Sequence, residues 1–156
     1  RQRMSALLTI DEADIGGSII PMMEKFDAQI AKAEPLFKLE GRKLMDIARD
    51  LPYHQNHYSA LAQEAKALVK WLENHKARIE AKLTKNYLQG QRAFGQRETA
   101  TFIAGEREMV EHNQLVIEAQ LCLQKLDAIV ESFEQMGWMV GHITKLRVAE
   151  LQSVVL

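Results

Sequence analysis

The chain predicts an all-α fold: two long antiparallel helices, at about 58–88 and 98–136, with shorter helices before them and one after, assembling into an oligomer. Three observations predict it. Helix formers such as Ala, Leu, Glu, Lys, Gln and Met are abundant, while aromatics make up only 6% of the residues. The prolines Pro21, Pro35 and Pro52 all fall in the first third, so nothing beyond them forces a break. Past Tyr58, apolar residues recur at steps of three, four and seven. A length of 156 residues suits one domain with a core of its own.

Residues 1–8 read as a processed or tag-flanking end, and 9–52 as short helices. Ser18 before Ile19, Ile20 and Pro21 reads as a helix start, with Met22, Met23, Phe26, Ile30 and Ala33 on its apolar side. Pro35 is expected to open a second helix bearing Phe37, Leu44, Ile47 and Leu51, and Pro52 to end it. Tyr53 to His57 then forms a polar connection. The hairpin of 58–136 follows. Its first helix carries Leu61, Ala65, Leu68, Leu72, Ile79 and Leu83 on one face. Gly90-Gln91-Arg92 and Gly95-Gln96-Arg97 form a small repeat, read as a mobile basic loop over 89–97.

The second long helix has three apolar rows at seven-residue spacing: Phe102, Met109, Val116, Leu123 and Val130; His112, Ala119, Leu126 and Phe133; Leu115, Cys122, Ile129 and Met136. Three rows make a face wide enough for more than one neighbour, whether within the chain or in self-assembly. Gly137 is expected to stop this helix. Trp138 to Val140 reads as extended, Gly141 as a turn, and His142 to about Val154 as a final helix within the segment 137–156.

Charge is sorted along the chain although the net charge is only −1. Lys70 to Arg97 is a basic block: Lys70, Lys76, Arg78, Lys82, Lys85, Arg92 and Arg97 face only Glu73 and Glu80. From Glu98 to Glu134 the sign reverses. A basic block attracts polyanions, or else is a solvated helix face. On the helical wheel, Trp71, Arg78, Lys82 and Lys85 share a side placed opposite the Leu/Ile row. An aromatic among cations can stack a base while its neighbours hold phosphates, which binds single strands without reading sequence. The alternative is that Trp71 packs under a neighbouring helix or subunit. Arg92 and Arg97 in a glycine loop suit phosphate contact, or an ordinary glycine-capped turn.

Other chemistries find little support. His54 and His57 stand three apart but lack Asp, Glu or Cys neighbours that would complete a metal set, so no metal or other cofactor is expected. None of the histidines, His75 and His142 included, has Glu three residues before it, which speaks against a two-iron bundle enzyme. His112, on an apolar row, reads as a core or interface histidine. Cys122 reads as small apolar filler, and its being the lone cysteine suits a reducing compartment. Nucleotide-loop, hydrolase-elbow and zinc-protease signatures are absent, and no enzyme is expected. No apolar run is long enough to cross a bilayer.

The 64–151 region resembles the UvsY family of phage recombination mediators. The tract Leu126-Asp127-Ala128-Ile129, then Gly137-Trp138-Met139-Val140-Gly141-His142-Ile143, then Arg147 and Glu150, is similar to the family's C-terminal pattern. Ala81-Lys82-Leu83, followed by Tyr87 and Gly90, looks like its basic tract, with one extra residue between Tyr87 and Gly90. The resemblance implies a protein without bond-making activity: a ring-like homo-oligomer that binds single-stranded DNA and helps a RecA-like recombinase replace the single-strand-binding protein already on the DNA. It implies DNA contact at Lys82, Tyr87 and Lys85, to which the residue reading adds Lys76, Arg78, Arg92, Arg97 and Trp71. Subunit contacts are then expected from Val130, Phe133, Trp138, Ile143, Leu146 and Leu151. The expected location is the cytoplasm, that of a bacterial host if the protein is phage-encoded. The alternative from another class is a helical structural or adaptor protein of a phage or multiprotein complex, without DNA binding.

Overall fold

The computed structural model describes residues 6–89 and 95–154. Among them there is no strand. Helices α1 (Ile15–Ala33), α2 (Leu44–Leu88), α3 (Gln96–Gly105) and α4 (Arg107–Val154) follow one another, with short 3-10 turns at Ala6–Thr9 and Glu34–Phe37. The all-α expectation and the pair of long packed helices both hold. At 1.5 Å per residue, α2 and α4 are each about 70 Å long.

Several boundaries differ from expectation, each for a physical reason. Helix α1 starts before Ser18, because Asp14 caps it: its Oδ1 accepts from Gly17 N at 3.0 Å. A Cβ at Gly17 would lie 2.2 Å from Asp14 Oδ2, so the cap needs glycine there. Pro21 therefore sits inside the helix. Pro35 opens only a 3-10 turn, and Gly41, at φ +73°, lets the chain reverse before α2. Pro52 does not end a helix. It lies on the exposed side of α2, where water can satisfy the carbonyl that its ring leaves unpaired. The expected polar connection at Tyr53–His57 is thus helical.

The second long helix breaks where no break was expected. Glu106 is extended, at ψ 135°, and its carbonyl accepts from Val110 N to begin α4. Gly137 does not stop α4, and Trp138, Met139, Val140 and Gly141 continue it. The glycine serves packing: a Cβ there would stand 3.3 Å from Leu51 Cδ2, so its absence lets α4 lie close to the start of α2.

Cross-contacts fix the topology. His112 reaches Leu72 and His54 stacks on Phe133, so α2 and α4 run antiparallel. Tyr58 reaches Gln29 while Arg78 reaches Glu12, so α1 runs antiparallel to α2 and alongside α4. The main core is the three-helix overlap of Ile19, Phe26, Tyr58, Leu68, Leu72, Leu126 and Phe133. A smaller core of Ile79, Leu83, Ile103 and Met109 lies where α3 replaces α1. The rows of His112–Phe133 and Cys122–Met136 are used inside the chain. Phe102 is exposed, and Ile103 takes its expected buried place.

Candidate nucleic-acid interface

Arg78, Lys82 and Lys85 occupy successive turns of α2 and are all exposed, as the wheel requires of residues off the core stripe. Their side of the helix is not opposite the core. It lies about 100° around from Leu68, Leu72 and Ile79, on the flank that borders the start of α4 and the segment before α1. This position brings carboxylates to the cations. Arg78 Nη1 lies 3.3 Å from Glu12 Oε1, and Lys82 Nζ lies 3.7 Å from Glu108 Oε2. The Tyr87 hydroxyl donates to Glu106, a bond that raises the phenol's pKa. Among the described residues, no carboxylate stands within ion-pair distance of Lys85. Arg97, in the first turn of α3, is exposed as well.

Two expected contact residues are placed differently. Lys76 falls on the core side of α2, between Leu72 and Ile79, and is half-buried. Trp71 is half-buried against the main core, and its ring stacks on His75 with centroids 5.1 Å apart and planes 2° from parallel. One ring face is thereby covered by a neighbour on its own helix, which narrows the expected stacking platform. Arg92 and most of the expected basic loop lie outside the described residues.

Beneath the flank, His112 is buried and its Nε2 donates to Leu72 O at 2.7 Å. Its ring lies 5.5 Å from that of His75. Burial, together with His112 and Arg78, holds the His75 imidazole below its usual 6.5, and Glu12 and Glu108 oppose this only in part. A groove of about 330 Å³ runs beside these residues, and its walls carry Glu12, Asp14, Glu108 and Glu111.

Expected subunit-contact residues divide in two. Phe133 is fully buried within its own chain, between Phe37, Tyr58 and His54, so it is no surface contact. Val130 leans on the same core. Trp138, Leu146 and Leu151 are 82%, 53% and 69% exposed, and Ile143 is half-buried, all in the C-terminal part of α4.

The remaining candidates are structural. His54 stacks on Phe133, and His57 lies 3.1 Å from Gln29 Oε1. Among the described residues no group of three or more His, Cys, Asp or Glu is arranged to hold a metal. The Cys122 thiol is buried beside Asp27 and is pushed up to about 11, chiefly by burial. No described helix is long and apolar enough to cross a membrane.

Comparison with protein families, characterised proteins and solved structures finds no match to this chain.

The carboxylates Glu12, Glu106 and Glu108 were not singled out from the sequence. Glu106 and Glu108 had a signal: in an antiparallel hairpin, an acidic block after a basic one returns alongside it. Glu12 had none, because its approach depends on where α1 lies.

Proposed function

We propose that this chain is a non-catalytic single-stranded DNA-binding recombination mediator. In this reading it helps load a RecA-like recombinase onto DNA coated by single-strand-binding protein, in the cytoplasm of a bacterial host. The observation that carries the reading is the exposed row Arg78, Lys82 and Lys85 on successive turns of one rigid helix, within the tract that resembles the mediator family. Such a row can replace the counterions of an unpaired strand without reading its sequence. The apolar end of α4, with Trp138, Leu146 and Leu151 exposed, supports the self-assembly that the reading needs. Repetition of a modest patch around an oligomer multiplies its affinity through effective concentration, so a net charge near zero is no obstacle.

The test is a salt titration of binding to a labelled single-stranded oligonucleotide. Each phosphate neutralised by a bare cation contributes a slope of roughly −0.7, so changing Arg78, Lys82 and Lys85 together to Ala should flatten it, by about 0.7 where only unpaired Lys85 sheds counterions and by up to about 2 where all three do. An unchanged slope would reject the flank as the contact.

One observation favours a second reading. The pairs Arg78–Glu12 and Lys82–Glu108 already neutralise part of the flank, as in an adaptor whose charges serve its own fold. A protein that self-assembles yet shifts no oligonucleotide at low salt would support that reading.

A further inference from the structure

The same two ion pairs point to a device that rests on the DNA-binding reading. We infer that Glu12 and Glu108 are built-in competitor anions: in the free protein they occupy the places on Arg78 and Lys82 that strand phosphates take on binding.

The carboxylates are positioned rather than incidental. Glu12 belongs to a tight turn ahead of α1, in which Asp11 N donates to Ser18 Oγ at 3.0 Å and Ala13 N to Asp11 Oδ1 at 2.9 Å. The Asp14 cap closes the turn onto Gly17. Glu108 stands in the first turn of α4, fixed by the chain break at Glu106. Two segments far apart in sequence thus each deliver one carboxylate to adjacent turns of the same helix flank. Glu111 and Asp14 line the groove behind them.

The pairs are also exchangeable. All four side chains are half or more exposed, between 50% and 71%, so solvent and salt screen the attraction. A phosphate brings a full charge and several acceptor oxygens, and a guanidinium can hold two of them at once. Exchange of a carboxylate for a phosphate releases fewer small ions than the binding of a bare cation. The flank therefore engages a single phosphate weakly, and favours a continuous strand that displaces both carboxylates together. Lys85 remains available for first contact.

The experiment compares the full chain with Glu12→Gln/Glu108→Gln and with a charge-matched control, Glu131→Gln/Glu134→Gln, on oligo-dT across a salt series. The altered side chains are exposed, so far-ultraviolet circular dichroism should be unchanged in both. The first variant should bind several-fold more tightly at low salt, with a slope steeper by up to about 1.4, since two cations now shed counterions. The control should gain less, with the wild-type slope. Equal gains in both variants would mean that only net charge matters, and would overturn the inference. So would wild-type binding that neither variant alters, with the DNA-binding reading intact. Failure of all three proteins to bind would remove that reading, and the inference with it.

Discussion

The two ends of the helical hairpin are built differently. Where α1 overlaps α2 and α4, three helices close on Phe133, Tyr58, Leu126 and Leu72, and polar groups entering that core are satisfied. The Tyr58 hydroxyl donates to Gln29 O at 2.6 Å, and His112 donates to Leu72 O. Beyond Arg78, α1 is gone. The short α3 covers Ile79, Leu83 and Met109, and tyrosine and phenylalanine (Tyr87 and Phe102) stack at its margin. Among the described residues, the buried side-chain polar atoms without a partner are His75 Nδ1 at the boundary and Thr99 Oγ1 in the thin end. Burial per residue decides which end holds the fold, and the charged flank lies on the end that holds it least. Under the proposed function, a surface that takes up a strand there can adjust without risk to the core.

The largest effect should come from the thick end. Phe133→Ala removes a fully buried ring in contact with Phe37 and Tyr58 and leaves a cavity between three helices. The expected loss is about 3–5 kcal/mol in urea unfolding, felt throughout the molecule. A loss under about 1 kcal/mol would mean that the ring is not part of the monomer's core, and would restore it as a subunit contact.

A smaller and more local effect should follow at the thin end. Ile103→Ala opens a site that α3 can partly close by shifting, so about 2 kcal/mol is expected, at the low end for such truncations. Hydrogen exchange should rise across 96–105 and the last turns of α2, while amides near Tyr58 keep their protection. Uniform loss of protection would show that the two ends unfold as one unit, and the comparison would fail.

The same contrast explains what could be seen in the sequence. The hairpin was legible because its apolar rows, Leu61 to Leu83 and Met109 to Met136, obey a local period that burial then enforces. Pro52 and Gly137 misled, since their usual local meaning was overridden by tertiary context. Pro52 faces water inside a helix held by its packed side, and Gly137 is the space that Leu51 needs. The break at Gly105–Glu106 was invisible because Phe102 stands seven residues before Met109 and so continues the row in the sequence, although Ile103 is the residue that the fold buries. At the candidate interface, the exposure of Arg78, Lys82 and Lys85 followed from the wheel. Their carboxylate partners did not, since Glu12 meets Arg78 only through the direction of α1, which no periodicity encodes.

The smallest effect sits at the boundary between the ends, where His75 lies against Trp71 on its own helix and His112 from α4. The charged groups facing it are Arg78 on α2, Glu12 ahead of α1 and Glu108 on α4. Burial lowers its pKa from 6.5, so the folded protein favours the neutral ring and the unfolded chain takes up the proton first. The sign follows: this contribution to stability is complete above about pH 6.5, and is lost as pH falls from there toward the depressed folded value. His75→Gln keeps a polar side chain and removes the titration. Urea midpoints measured between pH 8 and pH 5 should therefore fall less steeply for the variant than for the wild type. Because the ring touches both the α1-covered core and the cationic flank, acid should loosen the thin end first. Hydrogen exchange at pH 5.5 that rises at Ile79 and Leu83 before Leu68 would bear this out, whereas equal pH slopes for variant and wild type would show that His75 is not held neutral by the fold.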